Sequence, residues 1–313
     1  MHRGVGQPSA TPSPTSQRTG VGVIHPDTHI GAVSLTVSDP SRVTRFYEQV
    51  LGLSSGTGDD GSVVLRAGEG PPLIELHPDS GAPARDARAP GLFHLAVLMP
   101  DRPALAMALA RLAAARWPLD GASDHLVSEA LYLSDPEGNG IELYRDRPRH
   151  EWPRRDGSLA MDTLPLDLNA LLGELSSESA ETVTQPDRVE PLAPEGTTMG
   201  HVHLRVSDLG EAEEFYVGAL GFEVTVSSYP GALFVSAGGY HHHLGLNTWH
   251  SAGSPPTPPG TAGLRSFEVV LPTEPELEKV LGRVDAAGLD VRPVAAGSLV
   301  RDPFGNGVLL RAA

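Results

Sequence analysis

Hydrophobic and polar residues alternate over several short stretches of the chain, and each stretch leads into an amphipathic segment. Two clear examples are AVSLTV and HVHLRV, which both continue through Ser-Asp into a segment that carries Phe-Tyr and stops at Leu-Gly. A period of two predicts a strand, whereas an Asp cap, helical spacing of apolar residues and a glycine stop predict a helix. The pattern therefore predicts a strand followed by a helix.

This predicted unit occurs four times, so the chain contains an internal repeat. We number the units in chain order as modules one (from AVSLTV), two (from GLFHLAV), three (from HVHLRV) and four (from GLRSFEVV). Modules two and four close with DPEGNGIELY and DPFGNGVLLR, in which a turn leads into a last strand. Four βαβββ modules predict an α+β fold whose cupped antiparallel sheets enclose a cavity.

Two stretches of biased composition flank and divide the repeat. Residues 1–25 are rich in Pro, Ser, Thr and Gly, which predicts a disordered tail. Residues 147–198 are acidic and rich in Ser and Pro, which predicts a linker, and within it LPLDLNALLGEL is predicted to form a short helix. The predicted domains are residues 28–146, with modules one and two, and residues 199–313, with modules three and four.

Charge and composition narrow the range of partners. The 313 residues include 23 Lys and Arg against 39 Asp and Glu, and the formal charge of −16 argues against nucleic acid or an anionic membrane. No apolar stretch reaches the roughly 20 residues that cross a bilayer, and no secretion signal is recognisable, so we expect a cytoplasmic protein. Because the chain has no cysteine, a bound metal must rely on His, Asp and Glu.

Three residues on predicted strands have the side chains of a metal site. His94 lies on the first strand of module two, Glu142 on its last strand, and His201 on the first strand of module three. Two imidazoles and one carboxylate can hold a metal by one face and leave positions open for substrate and O2. Alternation places His203 on the same face as His201, so His203 is a competing ligand. The alternative is that the histidines are ordinary strand residues and that Glu142 faces water.

A run of three histidines in GGYHHHLGLN is the second candidate for chemistry. His241, His242 and His243 lie where a turn enters a strand, and an imidazole in such a place suits acid–base or ligand chemistry. The alternative is a solvated loop cluster. His125 and Tyr132 precede the Glu142 strand, and on residue type alone each is more typical of packing than of function.

The chain resembles the vicinal oxygen chelate superfamily, which includes glyoxalases, bleomycin resistance proteins and extradiol dioxygenases. The segments HLAVLMPDR, HLVSEALYLSDPEGNGIE and GGYHHHLGLN are similar to those of bacterial catechol 2,3-dioxygenases of the CatE type. The resemblance implies two vicinal oxygen chelate domains around a metal cavity, with His94, Glu142 and His201 as the metal ligands. It also allows for a homo-oligomer.

The resemblance further implies a reaction in which a catechol ring is opened by O2 next to its two hydroxyls. Fe(II) is the expected metal, and Mn(II) would accept the same ligands. By position, His242 is the acid–base residue beside the metal, whereas Tyr132 and His125 hold the substrate oxygens.

A complete site depends on which modules pair. Module four has Ser266 and Leu309 where a second His and a Glu would stand, and module one has Glu75 but Ala32 at the position of His201. Modules one and four therefore have the composition of a scaffold. The enzyme hypothesis requires module two to face module three, and it fails if each half of the chain closes on itself.

Two other functions fit the same fold. A glyoxalase-type isomerase would use four ligands, with His243 or His241 added to the triad, and would bind Zn or Ni. A metal-free protein that sequesters small molecules would need a cavity alone, and the triad with its neighbouring His and Tyr exceeds that need.

Overall fold

The structure, a computed structural model, describes residues 22–155, 157–176 and 193–313. Most of the predicted tail and the middle of the predicted linker lie outside these residues. The end of the tail is described, and it differs from the prediction of disorder. Ile24 is buried, and its backbone N–H donates to the carbonyl of Gly221 at 2.8 Å.

The first half of the chain folds as two βαβββ modules. Module one consists of β1 (His29–Val37), α1 (Pro40–Gln49), β2 (Ser54–Thr57), β3 (Val63–Arg66) and β4 (Pro72–Pro78). Module two consists of β5 (Gly91–Leu98), α2 (Arg102–Ala114), β6 (Gly121–Asp124), β7 (Ser128–Ser134) and β8 (Gly140–Asp146). The predicted order of elements is confirmed in both.

A short segment of small elements follows. It contains a 3₁₀ turn (Arg149–Glu151), β9 (Arg154–Arg155), β10 (Ser158–Leu159), β11 (Leu164–Pro165) and α3 (Leu168–Leu172). The helix α3 lies within the stretch LPLDLNALLGEL, where a short helix is predicted, and the Asp167 side chain caps it by accepting from two backbone N–H groups.

The second half repeats the module twice. Module three consists of β12 (Thr198–Arg205), α4 (Leu209–Glu213, continued by a π-helical stretch Glu214–Ala219), β13 (Glu223–Val226), β14 (Ala232–Ser236) and β15 (Leu244–Asn247). Module four consists of β16 (Gly263–Leu271), α5 (Glu274–Ala286), β17 (Val291–Val294), β18 (Gly297–Arg301) and β19 (Gly307–Ala312).

Three of the four crossover helices begin after an aspartate, as predicted for Asp39 and Asp208, and Asp101 is a third such cap that was not predicted. The side chains of Asp39, Asp101 and Asp208 each accept a hydrogen bond from the backbone N–H three residues later, at 3.0, 2.8 and 2.9 Å. These bonds satisfy an N–H group that the helix itself leaves unpaired. The Asp caps therefore fix where α1, α2 and α4 start.

The modules pair across the two halves of the chain. An eight-stranded sheet of modules one and four has the order β17-β18-β19-β16-β1-β4-β3-β2. Modules two and three form a second sheet, to which β11 of the connecting segment adds a ninth strand, with the order β11-β6-β7-β8-β5-β12-β15-β14-β13. The modules join through the antiparallel pairs β1–β16 and β5–β12. Module two thus lies beside module three, as the enzyme hypothesis requires. The sheets do not follow the predicted domain division, which stays a prediction about sequence organisation.

The predicted α+β fold with curled sheets is confirmed, but the sheets are mixed rather than antiparallel. The first and last strands of every module run parallel, as in β1–β4 and β5–β8. The crossover helix returns the chain to the start of the sheet, and two hairpins then reverse it twice. The last strand therefore runs in the direction of the first and pairs with it.

Alternate residues of the central strands face opposite sides of the sheet. Leu95 and Val97 of β5 belong to the main cluster of buried apolar side chains, which takes residues from all four modules. Alternation leaves His94 and Ala96 on the other face. No helix among the described residues is long and apolar enough to cross a membrane.

Candidate metal site

The register of the nine-stranded sheet aligns four residues in one row. His201 on β12 is the partner of Ala96 on β5, Ala96 is the partner of Glu142 on β8, and Glu142 is the partner of Tyr132 on β7. Directly opposed residues project from the same face of a sheet. Glu142 and His201 therefore project on either side of Ala96, whose methyl group leaves room for them to meet.

A second row, next to the first, contains His94 and the two glycines of the GNGIE and HLGLN motifs. His94 is the register partner of His203, and His203 is the partner of Gly245. A Cβ atom on Gly245 would lie 2.8 Å from the His203 ring, and one on Gly140 would lie 2.1 Å from the Phe93 carbonyl oxygen. Both positions require glycine because the backbone must approach the histidine strand closely.

The three predicted ligands meet where the two rows adjoin. His94 Nε2 lies 2.9 Å and His201 Nε2 3.0 Å from the same oxygen, Glu142 Oε2. One ligand atom from each residue lies within 4.8 Å of the others, and all three side chains are buried. The structure thus brings together residues that are up to 107 positions apart in sequence, from His94 to His201.

The protonation states of these side chains favour binding of a cation. Burial raises the pKa of Glu142, but the charges of His201 and His94 and the hydrogen bond from His201 outweigh it and hold that pKa well below its usual range. Burial lowers the pKa of His201 to about 4, and Glu142 offsets only part of this shift. At neutral pH the site therefore contains an ionised carboxylate and a neutral His201 imidazole, which are the forms that bind metal.

The donor set fits a divalent metal. His94 Nε2 is buried and lies near Glu142 without the alignment of a hydrogen bond, so this nitrogen has no hydrogen-bond partner among the residues that the structure describes. The separations of 2.9 and 3.0 Å match the roughly 3 Å between neighbouring ligands at right angles around an ion with bonds of about 2.1 Å. Two imidazoles and a carboxylate on one face are the ligands of non-haem Fe(II) oxygenases.

The competing ligand His203 faces the same cavity from the second row. Its ring lies 4.9 Å from that of His94 and 5.1 Å from that of Phe93, between ring centroids. Burial, followed by the charges of His94 and His201, lowers the pKa of His203 well below its usual range. Among the described residues, His203 is not in the group whose ligand atoms converge.

The histidine run is buried, which rules out the alternative of a solvated loop cluster. The His242 ring packs 4.1 Å from the His201 ring and lines the cavity. Burial and the nearby His201 and His241 lower the pKa of His242 well below its usual range, so its imidazole is neutral at physiological pH. A neutral imidazole beside the ligands can accept a proton.

His243 has a different environment from its neighbour. Its Nδ1 accepts a hydrogen bond from the backbone N–H of Ala237 at 3.1 Å, and its ring packs against Tyr240 at 4.9 Å. Burial lowers the pKa of His243 to about 3. Neither His243 nor His241 belongs to the converging ligand group among the described residues.

Tyr132 and His125 lie together at the wall of the cavity. His125 Nε2 is 2.7 Å from the Tyr132 hydroxyl, and His125 Nδ1 is 2.8 Å from the backbone carbonyl of Asp162. Burial and the negative charge of Glu142 raise the pKa of Tyr132 well above its usual value. The Tyr132 phenol therefore stays protonated. Because the Asp162 carbonyl only accepts, His125 Nδ1 donates to it and His125 Nε2 accepts from the Tyr132 hydroxyl, so the Tyr132 oxygen can accept a hydrogen bond from a group in the cavity.

The cavity has a volume of about 440 Å³ and a largely apolar wall. Sequence reasoning missed the side chains that form this wall, which are Phe93, Met161, Val226, Tyr229, Phe234 and Trp249. They come from β5, from the segment after module two and from module three, so no local pattern connects them. A planar aromatic ligand suits such a wall.

The fold agrees with comparisons to known proteins. The chain belongs to the glyoxalase/bleomycin resistance protein/dioxygenase superfamily, whose family model matches residues 29–143 and 198–310. It is similar to catechol-2,3-dioxygenase of Bacillus subtilis (strain 168), with 44% identity over 284 residues that cover 90% of this chain and 95% of that protein. This relative confirms the predicted class, a dioxygenase and hence an oxidoreductase.

Solved structures show the same fold at low sequence identity. Glyoxalase I from Zea mays has a TM-score of 0.53 and 16% identity, covering 91% of this chain and 92% of its own. The cppA protein from Streptococcus pneumoniae TIGR4 has a TM-score of 0.57 and 10% identity, covering 93% and 100%. These matches support the four-module architecture alone.

Proposed function

We propose that this protein is an extradiol dioxygenase that opens the ring of a catechol next to its two hydroxyls, with Fe(II) held by His94, Glu142 and His201. The observation that carries the proposal is that the ligand atoms of this buried triad converge at the wall of an apolar cavity, which His94, Glu142, Tyr132 and His242 line. The 44% identical catechol-2,3-dioxygenase supports the choice of substrate class. Both atoms of O2 enter the ring-opened product, so the reaction needs no external reductant.

The metal would supply open positions that hold the catechol oxygens and O2 side by side, with the one-electron chemistry that O2 requires. The protein's own residues bind the substrate and move its protons. His242 is neutral and faces the cavity, so its free ring nitrogen accepts the proton of a catechol hydroxyl. It returns that proton as the ring opens.

Tyr132 and His125 orient the substrate. Because the Tyr132 hydroxyl donates to His125, its oxygen accepts a hydrogen bond from a substrate hydroxyl on the side of the cavity next to Glu142. His125 fixes the phenol by its 2.7 Å contact, and the Asp162 carbonyl in turn fixes the His125 ring. The apolar wall excludes water from the bound ring.

The test is anaerobic loading with Fe(II), followed by catechol and air, with the yellow ring-opened semialdehyde as readout. We expect product from the wild type and none from His94→Ala, Glu142→Ala or His201→Ala. The matched control is His77→Ala, which removes a half-buried histidine that lies 3.5 Å from Asp60 and 3.7 Å from Glu75 in the other sheet. This variant should keep full activity.

Other outcomes contradict the proposal in distinct ways. If the protein opens no catechol and retains one equivalent of Zn or Ni through purification, the glyoxalase-type isomerase is favoured. Failure without any retained metal favours the sequestering protein. Ring opening with Mn(II) but not Fe(II) would keep the reaction and correct the metal.

A further inference from the structure

A chain of hydrogen bonds runs from the end of β8 to the histidine beside the metal ligands. Asp146 is the last residue of β8, four positions after Glu142. Its Oδ1 lies 2.9 Å from Nε2 of His241, and Nδ1 of His241 lies 2.8 Å from Nδ1 of His242. The His241 ring is completely buried, so these two contacts are the ones that satisfy its nitrogens.

The donors and acceptors of this chain can be assigned in order. A carboxylate oxygen only accepts, so the proton between Asp146 and His241 is on His241 Nε2. A neutral imidazole has one N–H, so His241 Nδ1 carries a lone pair and accepts. The 2.8 Å contact then requires that His242 Nδ1 donates. In neutral His242 the other nitrogen, Nε2, is consequently without a proton.

The rings around His241 hold this arrangement in place. Tyr240 packs on the His241 ring at 4.0 Å between centroids, Trp152 lies at 5.4 Å and Tyr144 at 6.1 Å. A ring packed on several sides and bonded at both nitrogens cannot turn to offer its other edge. His241 therefore has a single orientation in which to receive the His242 proton.

We propose that Asp146 and His241 act as positioning residues, which fix the tautomer and the ring orientation of His242 so that its Nε2 lone pair faces the catechol. This inference rests on the proposed function for the identity of the substrate. Asp146 and His241 would not touch the bound catechol, and both act through His242. A buried aspartate that orients a catalytic histidine has the same effect in hydrolytic triads.

The tautomer can be measured without metal or substrate. In metal-free protein with ¹⁵N-labelled histidine, the ring nitrogens of His242 report which one carries hydrogen, and the His242→Gln variant assigns them. We expect Nδ1 of His242 to be protonated and Nε2 to be unprotonated at neutral pH. A protonated Nε2 in the wild type, or an His241 ring protonated at both nitrogens, would overturn the inference.

Two substitutions at position 241 separate positioning from packing. His241→Phe keeps a ring but removes the acceptor, so His242 should become a mixture of tautomers. His241→Asn is smaller but places an amide oxygen near the site of Nδ1, so it should restore the single tautomer. Asp146→Ala should resemble His241→Phe, and His77→Phe in the other sheet is the control that should leave the His242 signals unchanged.

Turnover by the Fe(II)-loaded enzyme gives the second readout. We expect His241→Phe and Asp146→Ala to lower kcat by about tenfold to a hundredfold, a fraction of what a general base contributes, with KM nearly unchanged. His241→Asn should recover most of kcat. Equal losses in His241→Phe and His241→Asn would show that packing alone matters and would overturn the inference. A wild type without ring-opening activity but with the expected tautomer would refute the proposed function and leave the positioning intact.

Discussion

Gly245 offers the sharpest test of the packing behind the metal site. It pairs with His203, and a Cβ atom there would lie 2.8 Å from Cγ and 2.9 Å from both Cδ2 and Nδ1 of the His203 ring. These distances are about 0.6 Å short of the 3.4 Å at which ordinary contact begins. In Gly245→Ala the His203 ring must move, and it lies 4.9 Å from the ring of the ligand His94.

The magnitude follows from the overpacking. One extra methyl group in a tightly packed interior costs about 1–3 kcal/mol of unfolding free energy. If the strain displaces His94 from its position as a ligand, binding free energy for Fe(II) is lost, and the affinity falls about tenfold for each 1.4 kcal/mol of it. We therefore expect Gly245→Ala to have a lower midpoint in urea and a weaker affinity in an anaerobic Fe(II) titration.

Two further variants make this test specific. Gly56→Ala in β2 is the matched control, because a Cβ there would have no heavy atom within 4 Å, and we expect no loss of stability or metal affinity. His203→Ala removes the clashing ring, so adding Gly245→Ala to it should cost much less than in the wild type. Equal stability and Fe(II) affinity for Gly245→Ala and the wild type would refute the reasoning.

Three further predictions concern pH, stability and specificity. Because burial lowers the pKa of His201 to about 4, the unfolded chain binds more protons than the folded one below about pH 6.5. His201 alone should therefore cost the metal-free protein up to about 1.4 kcal/mol of unfolding free energy per pH unit as pH falls toward 4, and His203, His242 and His243, whose pKa values burial also lowers, add to this loss. Urea unfolding against pH tests this, and a flat profile contradicts it. Tyr216→Phe should lower the free energy of unfolding by about 1.5–3 kcal/mol, because the Tyr216 hydroxyl donates to buried Asp302 at 2.9 Å. Tyr47→Phe should lower it by less, because the contact between Tyr47 and Asp135 is 3.5 Å long. Equal shifts of the urea midpoint for the two variants would contradict this. Met161→Ala should raise kcat/KM for catechols with bulky substituents about tenfold relative to catechol, because Met161 lines the cavity, and an unchanged ratio would exclude that role.

Local patterns predicted the repeat, and they singled out the three residues that the structure brings together, because both depend on short-range information. An Asp cap marks the start of three of the four crossover helices, and alternation marks which face a histidine such as His94 shares with its neighbours. The parallel pairing within each module was not predicted. It depends on how the crossover helix and two hairpins direct the last strand, and strand alternation carries no information about direction.

Long-range contacts account for what the sequence could not supply. The enzyme hypothesis required β5 to pair with β12, but the sequence could not predict this pairing, because it joins residues from separate halves of the chain. The contact between Asp146 and His241 spans 95 positions, and Met161 enters the cavity from the predicted linker. Neither Asp146 nor Met161 stands out from its neighbours in the sequence by residue type or local pattern.

The most direct test of the account is to supply Fe(II)-loaded protein with catechol under ¹⁸O₂ and to identify the product by mass spectrometry at once. The account predicts a hydroxy-semialdehyde, opened next to the two hydroxyls, that carries label from both oxygen atoms, and no such product from Glu142→Ala. A diacid opened between the hydroxyls, a product with one labelled atom incorporated, or a Glu142→Ala variant that remains active would contradict it.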